Sequence, residues 1–199
     1  MHAPADEIIH YAAGLIHKRV RLDTSEIATR FGMSRTTLFR RVGNREKLMG
    51  EAVWWLASRA LRRAETHWLE QYGTAVRDEK GWLRYLRILE HYGNAAVREP
   101  GLAWLLENEQ PVAMRALTDP DGSVEPRLIA AHLTLLRRDV AEGGLVPLVD
   151  LETLAFAVVR MGDAIFYSDV MAGHTEHFPK AMILIQQLVE GVLQVPRQE

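Results

Sequence analysis

Arg35, Thr36, Thr37, Arg40 and Arg41 fall close together in the run SRTTLFRRV, and their types suit the recognition of another molecule. An arginine fork donates paired hydrogen bonds that match guanine O6 and N7 in the major groove, or phosphate oxygens. A threonine offers a hydroxyl and a methyl to base edges or phosphate. Ser34, just ahead, can cap a helix whose amino end attracts phosphate. These residues must be held at a fixed angle, and the stretch TSEIATRFGMSRTTLFRRVGNREKL from Thr24 to Leu48 provides the means. Thr24 is expected to cap a first helix with Ile27, Ala28 and Phe31 along one buried face. Gly32 tolerates the left-handed backbone of a sharp turn, Met33 fills the angle, and Ser34 starts a second helix with Leu38 and Val42 inward. That leaves Arg35, Thr36, Thr37, Phe39, Arg40 and Arg41 on or beside the outward surface. Two helices joined this way form a helix-turn-helix, and the surface suits duplex DNA.

The charge distribution agrees, although the whole chain carries a formal net charge of -2 that would not suggest nucleic acid. From Lys18 to Lys47 nine cations oppose three anions, giving +6, so the remainder sums to -8. A basic amino-terminal module on an acidic body puts the phosphate-attracting field at one end of the chain. The competing reading is a solvated charged helix, which would not require a glycine turn, caps and inward apolar residues at these spacings.

The segment from Ile8 to about Trp54 resembles the DNA-binding domain of the TetR family of bacterial transcriptional regulators. The resemblance is carried by Ile27-Ala28, Gly32-Met33-Ser34, Thr37-Leu38-Phe39 and Arg45-Glu46-Lys47-Leu48. It implies an all-α fold: a three-helix helix-turn-helix domain over 1–47, and a long helix leading into a larger helical effector-binding and dimerisation domain over 48–199. It places Thr24 and Arg45 on the phosphate backbone and Arg35, Thr36, Thr37 and Arg40 near bases. Three positions depart from the family pattern. Phe39 stands where tyrosine is usual, which removes a hydroxyl contact to phosphate. Arg41 replaces a common histidine and supplies a cation, and Val42 replaces phenylalanine. Binding is expected to survive with a shifted salt dependence. For Arg35 and Arg40, base readout and phosphate contact both remain open.

After a small headpiece, the rest of the 199 residues suffice for one further domain with a sizeable core. The chain has no cysteine, so neither a disulfide framework nor a thiolate metal site is possible. Its amino terminus lacks a secretory pattern, and a soluble cytoplasmic protein without membrane association is expected. The body reads as helices punctuated by proline and glycine. Asn44 begins a long helix ending before Gly73, and Asp78 caps the next, which carries Trp82, Tyr85, Leu86 and Leu89. Pro100, Pro111 and Pro126 open further helices, and Gly143-Gly144 stops the last of these. Two long helices, roughly 150–171 and 179–195, are apolar on more than one face, as a helix must be to contact both its own core and a partner subunit. A homodimer through them is expected. It fixes two half-sites about one helical turn of DNA apart, or a multiple, and so requires a roughly palindromic operator.

Trp82, Tyr85, Leu86, Leu89, Trp104, Met114, Phe156 and Tyr167 are candidates for an apolar effector pocket, with core packing as the alternative. Arg160 and Asp163, three apart in LAFAVVRMGDAIFY, are either an ion pair or the polar anchor of a ligand head group. A small hydrophobic effector is expected; the acyl-lactones sensed by some members of the family fit, as do many drugs. No cofactor or metal is expected. An enzyme would need signals this chain lacks: there is no G-x-S-x-G, no G-x-x-x-x-G-K-[ST], no dinucleotide fingerprint and no H-E-x-x-H. His174 and His177 make an isolated H-x-x-H, and Glu107 and Glu109 read as solvated. The remaining alternatives are a DNA-associated architectural protein without an effector, and a helical enzyme.

Overall fold

The computed structural model describes residues 4–172 and 177–194. Among them the elements are α1 (Ala5–His17), α2 (Thr24–Arg30), α3 (Arg35–Val42), α4 (Arg45–Tyr72), α5 (Arg84–Val97), α6 (Pro100–Asn108), α7 (Gln110–Thr118), α8 (Glu125–Gly143), β1 (Val146–Pro147), α9 (Leu151–Ala172), α10 (His177–Val192) and β2 (Leu193–Gln194). The all-α expectation holds, apart from one small antiparallel ribbon that pairs Val146 with Gln194 and Pro147 with Leu193. Two residues per strand leave no alternating pattern to read in a sequence.

The chain packs as two compact units. One comprises the described residues up to Arg59 together with Arg98–Arg127; the other comprises Ala60–Val97 and the described residues from Leu128 onward. This packing partition differs from the division expected at 47/48: it falls within α4 and groups α6 and α7 with the amino-terminal helices.

In the first unit, α1 buries Ile8, Ala12, Ala13 and Ile16 at helical spacing. They join Ile27 and Ala28 of α2, Leu38 and Val42 of α3, Leu48, Met49, Ala52 and Val53 of α4, and Leu105, Leu106, Ala113 and Leu117 of α6 and α7 as its buried apolar side chains. Alpha-six approaches the end of α1 so closely that a Cβ on Gly101 would lie 2.1 Å from the Ile16 carbonyl oxygen. Backbone cannot swing aside as a side chain can, so Gly101→Ala is expected to destabilise the protein by about 1–3 kcal/mol. A urea-unfolding midpoint at or above the wild-type value would contradict this.

Hydrogen bonds and ion pairs fasten 98–127 to the amino-terminal segment. His17 Nδ1 lies 2.9 Å from Glu99 Oε1, and Arg115 Nε lies 3.1 Å from Glu46 Oε2. Arg127 grips Glu51 with both guanidinium nitrogens at 2.8 and 2.9 Å, and Ser123 donates its hydroxyl to the same carboxylate at 2.8 Å. Arg45 pairs with Glu109 and donates from Nε to the Leu22 carbonyl at 2.7 Å. Glu109 is therefore not solvated. Its side chain is only 8% exposed, because the elbow between α6 and α7 turns it inward, while Glu107 remains exposed as expected.

In the second unit, the later part of α4 and helices α5, α8, α9 and α10 enclose a core that includes Trp68, Leu83, Tyr85, Leu86, Leu89, Leu136, Leu154, Val158, Phe178, Met182, Ile185 and Val189. Asp78 does not cap α5. Its Oδ1 accepts from the Lys80 and Trp82 N–H groups, closing a turn, and α5 begins only at Arg84, so Trp82 lies before the helix. Arg84, His132 and Asp139 are buried among the apolar groups. Arg84 donates from Nε to Asp139 Oδ1 at 2.7 Å, the Tyr85 N–H donates to Asp139 Oδ2 at 2.7 Å, and the Tyr85 hydroxyl lies 2.9 Å from His132 Nδ1.

Candidate nucleic-acid interface

The cap of α2 is Asp23 rather than Thr24. Its Oδ1 accepts from the Ser25 and Glu26 N–H groups at 2.6 and 3.2 Å, and those two bonds hold the carboxyl below the usual carboxylate range. Both residue types can cap, but only Asp23 has a glutamate three residues on, the capping-box spacing that singles it out. Thr24 becomes the first helical residue and is buried, which turns it away from the phosphate role that the resemblance implied. After α2, Gly32 takes φ +62°, the left-handed conformation the sharp turn demands, and Met33 N–H bonds back to the Ala28 carbonyl at 3.0 Å.

Ser34 then caps α3 as expected: its Oγ accepts from the Thr37 N–H at 3.2 Å and lies 3.0 Å from the Thr37 hydroxyl. Ser34 and Thr37 thus spend hydrogen-bonding capacity on holding the helix start. Leu38 and Val42 are buried, while Arg35, Thr36, Phe39 and Arg40 are exposed together on the opposite side. Arg41 is half-buried. Asn44 caps α4 through Oδ1, which accepts from the Lys47 N–H at 2.8 Å. Arg45 follows immediately, but its guanidinium is held by Glu109 and the Leu22 carbonyl rather than projecting freely. The sequence offered no sign of this partner, 64 positions away.

A two-helix corner whose exposed outer face carries Arg35 and Arg40 has the form of a helix-turn-helix that docks in a major groove. Residues 80–190 match the family model described as tetracyclin repressor-like, C-terminal domain. The chain belongs to the TetR family of transcriptional regulators. Members of this family regulate transcription rather than catalyse reactions, and they bind DNA and effectors and dimerise. The chain is similar to the structure of the TetR-family transcriptional repressor QsdR of R. erythropolis, with 25% identity, a TM-score of 0.79 and coverage of 98% of this chain and 97% of that one. Two further TetR regulators share the fold. One, from Haloarcula marismortui, has 18% identity, TM-score 0.58 and coverage of 96% and 98%. The other, from Pectobacterium atrosepticum, has 15% identity, TM-score 0.63 and coverage of 97% and 95%. No curated protein sequence matches the chain.

TetR regulators bind effectors, and the residues expected to form such a site are divided between the two units. Tyr85, Leu86 and Leu89 lie in the core of the second unit with Trp82 packed against it. Tyr167 is buried on α9 with its ring edge-on to Phe166. Trp104 and Met114 belong to the first unit. Arg160 is not a buried charge: it lies exposed on α9 with its guanidinium carbon 5.5 Å from the centroid of Phe156, itself 49% exposed. Asp163, half-buried on the same helix, raises the Tyr92 phenol after burial has already done so. His132 was missed, since a lone histidine in a helix carries no pattern. Burial pushes its imidazole down to about 4.

His177 opens α10, with Nδ1 2.6 Å from Asp169 Oδ1; the helix starts earlier than Pro179 because Asp169 also accepts the His177 N–H at 3.2 Å. His174 lies outside the described residues. Among the described residues no cluster of three or more metal-ligating side chains is placed to hold an ion, and no helix is long and apolar enough to cross a membrane.

Proposed function

We propose that this regulator is a repressor that grips a roughly palindromic operator as a homodimer, each α3 entering a major groove, and that a small hydrophobic effector releases it. The observation that carries the reading is the outer face of α3, where Arg35, Thr36, Phe39 and Arg40 are exposed over a helix whose other side is buried. Arg35 and Arg40 supply base or phosphate contacts, Thr36 a polar contact, and Arg41 and Ser34 flank them at the phosphates. Internal pairing with Glu109 makes Arg45 a residue that positions the start of α4. Access to the operator places the protein in the cytoplasm.

Dimerisation through α9 and α10 is supported by the apolar groups those helices leave exposed, Phe156 and Met171 on one, Ile183 and Leu184 on the other. Neither Gly162 nor Gly191 has an atom within 4 Å of where a Cβ would sit, which leaves room for a partner's backbone. Phe156 and Arg160 fit this seam better than an effector pocket. For the effector, the buried Tyr85 with Trp82, Leu86 and Leu89 supplies apolar wall, and the Tyr85–His132 pair supplies a polar group.

The test is selection of bound duplexes from a random DNA pool by the purified protein, repeated with acyl-lactones and apolar drugs in the eluting buffer. A palindromic consensus is expected, with an active effector weakening binding by about 5- to 150-fold, the range of ordinary allosteric coupling. Arg35→Ala and Arg40→Ala are each expected to cost about 1–3 kcal/mol of operator affinity if the contact is to a base, with the dimer intact by sedimentation. Unchanged affinity in both variants would remove α3 as the reading element. A consensus with no response to any candidate effector would favour an architectural role.

A further inference from the structure

The exposed face of α3 holds one large apolar group among its polar ones. Phe39 is 36% exposed, and the Arg35 guanidinium carbon lies 5.5 Å from its ring centroid. The two residues are one helical turn apart, so their side chains stand side by side on the surface. Leu38 and Val42 provide the buried side of this helix, and Phe39 points away from it. A phenyl ring left in water forgoes burial energy that a contact would recover, and the proposed partner of this face is a major groove. Phenylalanine has no hydrogen-bonding atom, so it cannot use the donor and acceptor code of the base edges. The apolar feature that the groove offers is the thymine C5-methyl group.

We propose that Phe39 reads a thymine methyl beside a guanine read by Arg35. The guanidinium lies over the ring, so fork and ring are presented to the DNA as one pair. Four residues of helix rise span about 6 Å, close to two base-pair steps of about 3.4 Å each. The thymine therefore lies within two base pairs of the guanine in each half-site. The inference rests on α3 entering the major groove, and adds a base preference to that reading.

The test uses the duplex the protein selects from a random pool, with each thymine replaced in turn by deoxyuridine, which keeps the hydrogen-bonding edge and removes the methyl. One thymine per half-site, within two base pairs of an invariant guanine, is expected to lose about 4-fold in affinity on replacement, the value of one methyl group. Phe39→Ala should bind the thymine duplex about 4-fold or more weakly and be indifferent to that replacement, with helix content and oligomeric state as in the wild type. If no thymine is sensitive, or if Phe39→Ala keeps the same sensitivity, the proposal is overturned. Arg35→Ala and Arg40→Ala separate the two levels. If they lose binding while no methyl matters, only the Phe39 inference fails; if they bind as the wild type does, or no duplex is selected, the reading of α3 fails with it.

Discussion

Asp139→Ala is expected to lower the unfolding free energy of the full-length protein by about 3–5 kcal/mol, the usual consequence of removing one member of a buried ion pair. Arg84 and Asp139 are respectively 3% and 0% exposed at their side chains. The carboxylate serves two donors, accepting Arg84 Nε on one oxygen and the Tyr85 N–H on the other. Truncation strands a backbone N–H at the start of α5 and leaves the guanidinium with Glu142, which is half exposed and accepts from Nη2 at 2.7 Å. Asp139→Asn keeps an acceptor for one donor and should cost less than alanine. Equilibrium urea unfolding of the three proteins measures the difference; a loss below about 1 kcal/mol for alanine would place this pair with weak surface bridges instead.

The second large effect is a pH dependence carried by His132. Burial lowers its imidazole from the ordinary 6.5 to about 4, and the Tyr85 hydroxyl, whose own ionisation burial suppresses, lies 2.9 Å from His132 Nδ1. The unfolded chain takes up a proton near pH 6.5 while the folded one does so only near pH 4. Stability from this group is therefore complete above pH 6.5 and drains away as pH falls toward 4, by about 3 kcal/mol in all. His132→Gln retains an acceptor for the tyrosine and cannot charge. Its unfolding free energy is expected to vary less between pH 6.5 and 4 than that of the wild type, by roughly that amount. Parallel curves for the two proteins would show that the imidazole is not the titrating group.

The helix-turn-helix was readable because each of its determinants is local: Ile27, Ala28 and Leu38 set the buried faces, Gly32 the turn, and Ser34 and Asn44 the caps, all within a few residues of what they act on. Even there, adjacent Asp23 and Thr24 both had a side chain fit to cap, and Asp23 took the role by accepting the Ser25 and Glu26 N–H groups. Long-range partnership was not readable. Nothing near Arg84 in the sequence names Asp139, and nothing near Arg45 names Glu109. Helical spacing shows which residues share a helix face but not which helices meet, so it does not tell that Trp104 and Met114 fall in one unit and Tyr85 in the other. Asp78 looked like a cap because caps and turn-closing aspartates use the same oxygen on the same kind of donor.

The ionic links from Glu99, Glu109, Arg115 and Arg127 to the amino-terminal helices bear on how this regulator could be re-engineered. Exchanging reading heads between relatives by splicing just after α3 would set Glu99 and Glu109 against foreign residues in place of His17 and Arg21. It would also replace α1, against which α6 packs. A working hybrid has to transplant two separated pieces of chain, up to residue 59 and from 98 to 127, as a single cargo.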